Sequence, residues 1–140
     1  EPFDFSLLVT VPRATALLRQ VDAWNDSYGR GAVHEIFISY YGSAPPDLGG
    51  SEGKARAEFS RAVEISRGLA AGPYVALASS VSVKNQNLAE FRELLDKALA
   101  VDVNVNAVRS QRLTNVINQK KARWMLDHVD RFFLEGQDAP

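Results

Sequence analysis

The stretch Ser51 to Gly68, SEGKARAEFSRAVEISRG, has the pattern of one amphipathic helix with both ends marked. Ser51 is a suitable N-cap. Ala55, Phe59, Ala62 and Val63 share one side, Lys54, Glu58, Arg61 and Glu64 the other, and Gly68 supplies a stop. The four-then-three spacing of Ala55, Phe59 and Ala62 recurs in Ala14, Leu18 and Val21 upstream and in Phe91, Leu95 and Ala98 downstream, each followed by a helix end. From Ala62 to Ala98 is 36 residues and from Val21 to Ala62 is 41, against roughly 34 for a tetratricopeptide repeat. The surplus fits in the loop Gly42 to Gly50. Small residues at these inner positions let helices approach closely. The triplets are therefore expected on the second helices of successive pairs, packed side by side around a core that no single pair could bury.

The intervening segments complete an all-α reading. Pro12 suits the first position of a helix carrying Ala14, Leu17, Leu18, Val21 and Trp24, which Gly29 and Gly31 end. A short second helix follows, with Val33, Ile36, Phe37, Tyr40 and Tyr41 as its apolar and aromatic face. The run Tyr74 to Val83 has the β-branched content of a strand, but Pro73 at its start and Ala, Leu and Ser within it favour a helix. Asn87 with Glu90 forms a capping box for a fifth helix that turns Leu88, Phe91, Leu94, Leu95, Ala98 and Leu99 inward. From Asn106 to Leu134 no proline or glycine intervenes, so one long helix, or two broken near the middle, should close the domain. The expected architecture is a single TPR-like domain over residues 1–140, an α-solenoid of helix pairs closed by a long C-terminal helix.

Composition narrows the function. With 46% hydrophobic and 24% charged residues the chain is a folded protein rather than a disordered one. Its 16 basic and 17 acidic residues leave a formal charge of −1. Lys120, Lys121 and Arg123 are too short a basic run to suggest nucleic-acid binding. The absence of cysteine removes disulfides, thiolate metal sites and cysteine nucleophiles. No run approaches the roughly 20 apolar residues of a membrane span, and Phe3 to Val11 lacks the basic leader and cleavage pattern of a signal peptide.

Beyond the repeat pattern, particular residues resemble a known family. Gly31-Ala-Val-His-Glu-Ile-Phe-Ile-Ser-Tyr-Tyr41, then Gly49-Gly50-Ser51 with Lys54 and Arg56, are similar in order and spacing to the TatT component family associated with TRAP transporters. Pro73-Tyr74-Val75, Val81-Ser-Val83, Gln86 and Phe91 continue the likeness, and Arg112-Leu113, Asn115, Ile117, Gln119, Ala122-Arg-Trp124 and Leu126-Asp127 complete it. The resemblance implies a periplasmic, lipid-anchored helical-repeat protein that associates with the periplasmic substrate-binding (P) protein of a tripartite ATP-independent transporter. It also implies a homo-oligomer, a trimer, that holds an apolar small-molecule ligand. Against that pattern these residues include neither a signal peptide nor a lipobox cysteine, and the resemblance implies that they are the C-terminal part of a longer protein.

Little in the sequence promises catalysis. His34-Glu35 opens like a zincin motif, but the second histidine one helical turn on is replaced by Ile38, and His128 lies far away. An enzyme using His34 and Glu35 as acid and base, a small hydrolase or metal-dependent enzyme, is the rival to a non-enzymatic binding and assembly protein that needs no cofactor. No serine stands in a nucleophile elbow, and Gly49-Gly50-Ser51 lacks the lysine of a phosphate loop. A different clue is that Asn115, Gln119, Ala122, Leu126, Val129 and Phe133 fall on one helical stripe, which carries two amides into an apolar region. The candidate ligand or partner site is therefore placed where His34, Tyr40 and Tyr41 meet Asn115 and Gln119, with Tyr74 on the rim.

Overall fold

The computed structural model describes residues 6–134, apart from the side chains of residues 6–9, 11 and 106–108. Within these it forms α1 (Ser6–Trp24), α2 (Ala32–Ser43), α3 (Glu52–Ser66), α4 (Gly72–Leu77), α5 (Leu88–Ala100) and α6 (Arg112–Asp127), with no strand among the described residues. The Phe3 to Val11 run begins outside the described residues.

The start and stop signals act where local chemistry specifies them. Ser51 caps α3 by accepting from the Lys54 amide. The stop after α3 is shared: Arg67 and Gly68 both adopt left-handed φ, and the Gly68 amide returns to the Val63 carbonyl. Asn87 accepts from the Glu90 amide at the start of α5, but only half of the expected capping box forms. The Asn87 amide bonds the Ser82 carbonyl, which frees the Glu90 carboxylate to reach Arg56 at 2.6 Å and Ser82 at 2.7 Å. The segment suggestive of a strand is helical throughout. Proline sits in the first turn of α4, and the chain continues as a π-helical segment, Ala78–Ser82, in which the Ser80 hydroxyl bonds the Ala76 carbonyl. At Gly42, α2 passes so close to Ser80 that a Cβ would collide with its side chain.

Other boundaries differ from expectation. Helix α1 runs through Pro12 from Ser6, although a proline inside a helix removes one hydrogen bond and crowds the carbonyl four residues back, at a cost of about 3 kcal/mol. On α2, His34 and Ile38 are buried in place of the exposed Ile36. The face turned inward is rotated because α3 and α4 both pack on this helix. The closing segment opens with a 3-10 stretch, Asn106–Gln111, and after α6 ends in a 3-10 turn, Val129–Arg131, rather than breaking near its middle.

Helix α2 packs along α3 and beside α4, α4 on α5, and α5 on α6. The core includes Phe37, Ile38, Ala55, Ala62, Val75, Leu77, Phe91, Leu95, Ala98, Ala122 and Met125, each at most 2% exposed. Two of the three triplets are well buried, but Ala14 on α1 is exposed. Helices α1, α3 and α5 share no extensive contact; the helices between them, α2, α4 and α6, pack on each other in sequence instead.

Candidate functional site

Four of the six residues singled out by sequence have partners within the α1–α4 part of the fold. His34 is 4% exposed, its Nδ1 lying 2.6 Å from Glu58 Oε2. Its Nε2 lies 3.4 Å from Asp22 Oδ1, within ion-pair reach but without hydrogen-bond geometry. The imidazole thus links α1, α2 and α3. The Tyr40 hydroxyl donates to the Leu48 carbonyl at 2.7 Å, fixing the loop that follows α2. Tyr41 is buried, stacks on Phe37 at 5.8 Å, and has Arg19 and Lys54 over its ring. Tyr74 meets Phe59 edge-on at 5.5 Å.

The two amides of the α6 stripe are both engaged. Asn115 accepts from the Ala71 amide at 3.0 Å and donates to the Leu69 carbonyl at 2.9 Å, so it satisfies the turn between α3 and α4. Gln119 Nε2 faces the carbonyls of Ala98, Leu99 and Val101, the nearest at 2.7 Å, and so covers the end of α5 where carbonyls lack helical partners. The stripe itself forms as expected, Asn115, Ala122 and Phe133 being buried and Gln119, Leu126 and Val129 half-buried. The tyrosines and His34 do not join these amides in one cavity; each group sits at its own helix junction.

What α2 and α6 do share is a cleft of about 320 Å³, where Asn115 meets Gly31 and Glu35 of the first helix junction, Gly72 and Pro73 of the next, and Gln111. Burial pushes the Glu35 carboxyl above its ordinary value, partly offset by the charge of Lys121. Glycine at position 72 is what leaves room for that carboxylate, since a Cβ there would occupy its place. Gln111 Nε2 donates to the Gly29 carbonyl at 2.9 Å, while its Oε1 is buried without a partner. No apolar periodicity marks Gln111 in the sequence, because it ends the short 3-10 stretch before α6.

A second cleft, about 400 Å³, lies along α6 between Leu99, Val116, Gln119, Lys120, Trp124 and Asp127. Beside it an apolar row faces outward: Leu113 is 73% exposed, Ile117 56% and Trp124 46%. These positions are four and seven residues apart and stand opposite the buried stripe, alongside Lys120 and Lys121. A helical wheel centred on the exposed side of the segment would have shown them. Trp124 is held by stacking on His128 at 4.8 Å and by Arg131 over its ring.

His34 and Glu35 do not form a common acid–base site, for one is enclosed between Asp22 and Glu58 and the other faces the cleft. Among the described residues no group of three histidine, aspartate or glutamate side chains is arranged to hold a metal ion, and no helix is long and apolar enough to cross a membrane.

The described residues thus form an all-helical scaffold, with polar groups at helix junctions, open clefts along α6 and an exposed apolar row. Comparison with known proteins gives the family. The chain belongs to the TRAP transporter T-component family, whose model matches residues 1–133. It is also 33% identical over 135 residues to an uncharacterized protein of Treponema pallidum (strain Nichols), an alignment covering 96% of this chain and 41% of that protein. The chain thus spans less than half the length of this relative. Family membership gives the protein a role associated with transport.

Proposed function

We propose that this chain is a non-enzymatic binding and assembly part of a TRAP transporter, docking the periplasmic substrate-binding protein through the outer face of α6. The observation that carries the reading is the row Leu113, Ile117 and Trp124, uncovered by any described element and bordered by Lys120 and Lys121. An uncovered apolar row of this kind favours a protein interface. The adjacent lysines favour a partner surface with acidic residues around an apolar centre. Gln119 and Trp124 line the neighbouring cleft, which suits a small apolar ligand with one polar group. In this reading the protein works in the periplasm, lipid-anchored and trimeric as the family resemblance implies.

The test is titration calorimetry of the protein against the substrate-binding protein of the same transporter. Trp124→Ala and Leu113→Ser are each expected to weaken binding at least about tenfold, or about 1.4 kcal/mol, with thermal unfolding little changed in Leu113→Ser, whose side chain is 73% exposed, and cooperative unfolding retained in Trp124→Ala, which loses contacts to His128 and Phe132. Unchanged affinity in both variants would remove α6 as the docking face.

A further inference from the structure

The cleft between α2 and the start of α6 offers acceptors without matching donors. Glu35 is half-buried there, and its carboxylate forms no hydrogen bond or ion pair among the described residues. Gln111 contributes a carbonyl oxygen that is buried and unpartnered. A buried amide oxygen is costly to leave unmet, and a carboxylate partly withdrawn from water with no donor against it keeps unused capacity for a cation. Asn115, by contrast, is saturated by backbone groups and only shapes the wall. Ser110 and Thr114 add hydroxyls that can turn to donate or accept. Arg30 also lines the cleft and makes no ion pair with Glu35.

We propose that this cleft binds the primary ammonium group of a small ligand, with Glu35 as counter-charge and the Gln111 carbonyl as a second acceptor. An ammonium supplies three N–H donors on a compact cation, enough to satisfy both oxygens and one hydroxyl. The volume of about 320 Å³ has room for a small ligand. A ligand that also carries a carboxylate can place it toward Arg30, so both a simple amine and a small zwitterion share the required group. The proposal is independent of the α6 docking face, which lies on the opposite side of that helix from Asn115.

The test is a ¹H–¹⁵N NMR titration of the full chain with ethylammonium chloride and, separately, with alanine, against sodium chloride and tetramethylammonium chloride at matched ionic strength. Saturable shifts of the Gly31, Gly72 and Gln111 amides are expected with at least one of the first two. Stronger binding of alanine identifies a zwitterion, and equal or stronger binding of ethylammonium identifies a lone amine. Glu35→Gln should weaken binding at least tenfold and Gln111→Leu by a smaller factor, both with cooperative unfolding retained. No saturable shift with either ligand overturns the proposal. So does an unaltered titration in Glu35→Gln, or equal binding of tetramethylammonium, which has no N–H to donate.

Discussion

His34 and Glu35 are neighbours in sequence and occupy opposite kinds of surroundings. The imidazole is enclosed between the carboxylates of Asp22 and Glu58 and ties three helices together. The carboxylate one residue later points about 100° away around the helix, lies against Gly72 and faces an open cleft. The contrast extends to the amides, since Asn115 uses both its oxygen and its nitrogen on backbone groups and Gln119 its nitrogen, while Gln111 keeps a buried oxygen idle. Asp22 Oδ1 and His34 Nε2 also lack hydrogen-bond partners, but they are enclosed at a helix junction; what separates Glu35 is that its carboxylate faces an open cleft.

If that division is right, substitutions at the engaged groups should lower stability. The largest effect is expected at Asn115, which is 1% exposed and meets both an amide and a carbonyl of the α3–α4 turn. Asn115→Leu should cost roughly 3 kcal/mol, because each orphaned backbone group costs about 1 to 3 kcal/mol. A urea midpoint close to that of the parent chain would place Asn115 among the unengaged groups and break the comparison. His34→Leu comes next, at about 2 kcal/mol: it removes the ring nitrogen that Glu58 bonds and leaves that carboxylate without this partner, and its partial exposure keeps the loss below that of a fully buried group. The same unfolding curves measure it, and a stabilised variant would mean the carboxylates repel the fold even with His34 present.

How far the sequence foretold this division depends on the range of the interaction. Ser51 and Asn87 were legible as caps because their partners lie three residues away. Ala55, Ala62, Leu95 and Ala98 were legible as core because periodicity alone puts them on one face. The burial of His34 was not, since its partners are 12 residues before and 24 after, on helices whose docking no local pattern sets. The six-residue site was drawn from chemical types sharing faces. Where the structure engages those types, it does so at separate junctions, and the cleft that joins α2 to α6 includes only Asn115 of the six. Glu35 was noticed for its place beside a histidine, not for the cleft it faces, which depends on where α4 and the start of α6 come to rest.

Glu90 is an engaged carboxylate and so the natural counterpart to Glu35. Hydrogen bonding from Arg56 holds its carboxyl below the ordinary value, with burial opposing and Ser82 assisting. Stability from Glu90 is therefore present above the ordinary carboxylate range near about pH 4 and is lost as pH falls through the lowered value. Glu90→Gln should cost about 1 kcal/mol at pH 7, discounted for the partial exposure of Arg56, and progressively less in acid. Urea unfolding at pH 7 and at about pH 3 checks this; an equal loss at both would assign the effect to side-chain packing instead of charge.

The smallest expected effect has the opposite sign. Burial raises the Glu35 carboxyl, so the folded chain binds a proton more readily than the unfolded chain. The folded state is favoured by this group below the unfolded value, and that advantage disappears as pH rises through the folded value. At pH 7 this carboxyl group therefore burdens the fold. Glu35→Gln should stabilise the protein by a few tenths to about 1 kcal/mol at pH 7, and this gain should vanish toward about pH 3, where the parent residue is neutral as well. Lys121 works against the shift, and if its attraction outweighed burial the variant would be less stable at pH 7. A saturating ammonium ligand sharpens the result further, because it stabilises only the form that binds it, by an amount that grows with ligand concentration over its dissociation constant. The parent chain should then regain the advantage over Glu35→Gln at pH 7. A carboxylate that weakens the empty fold and strengthens the occupied one is a binding group; one that strengthens the empty fold belongs with His34 and Glu90 as part of the architecture.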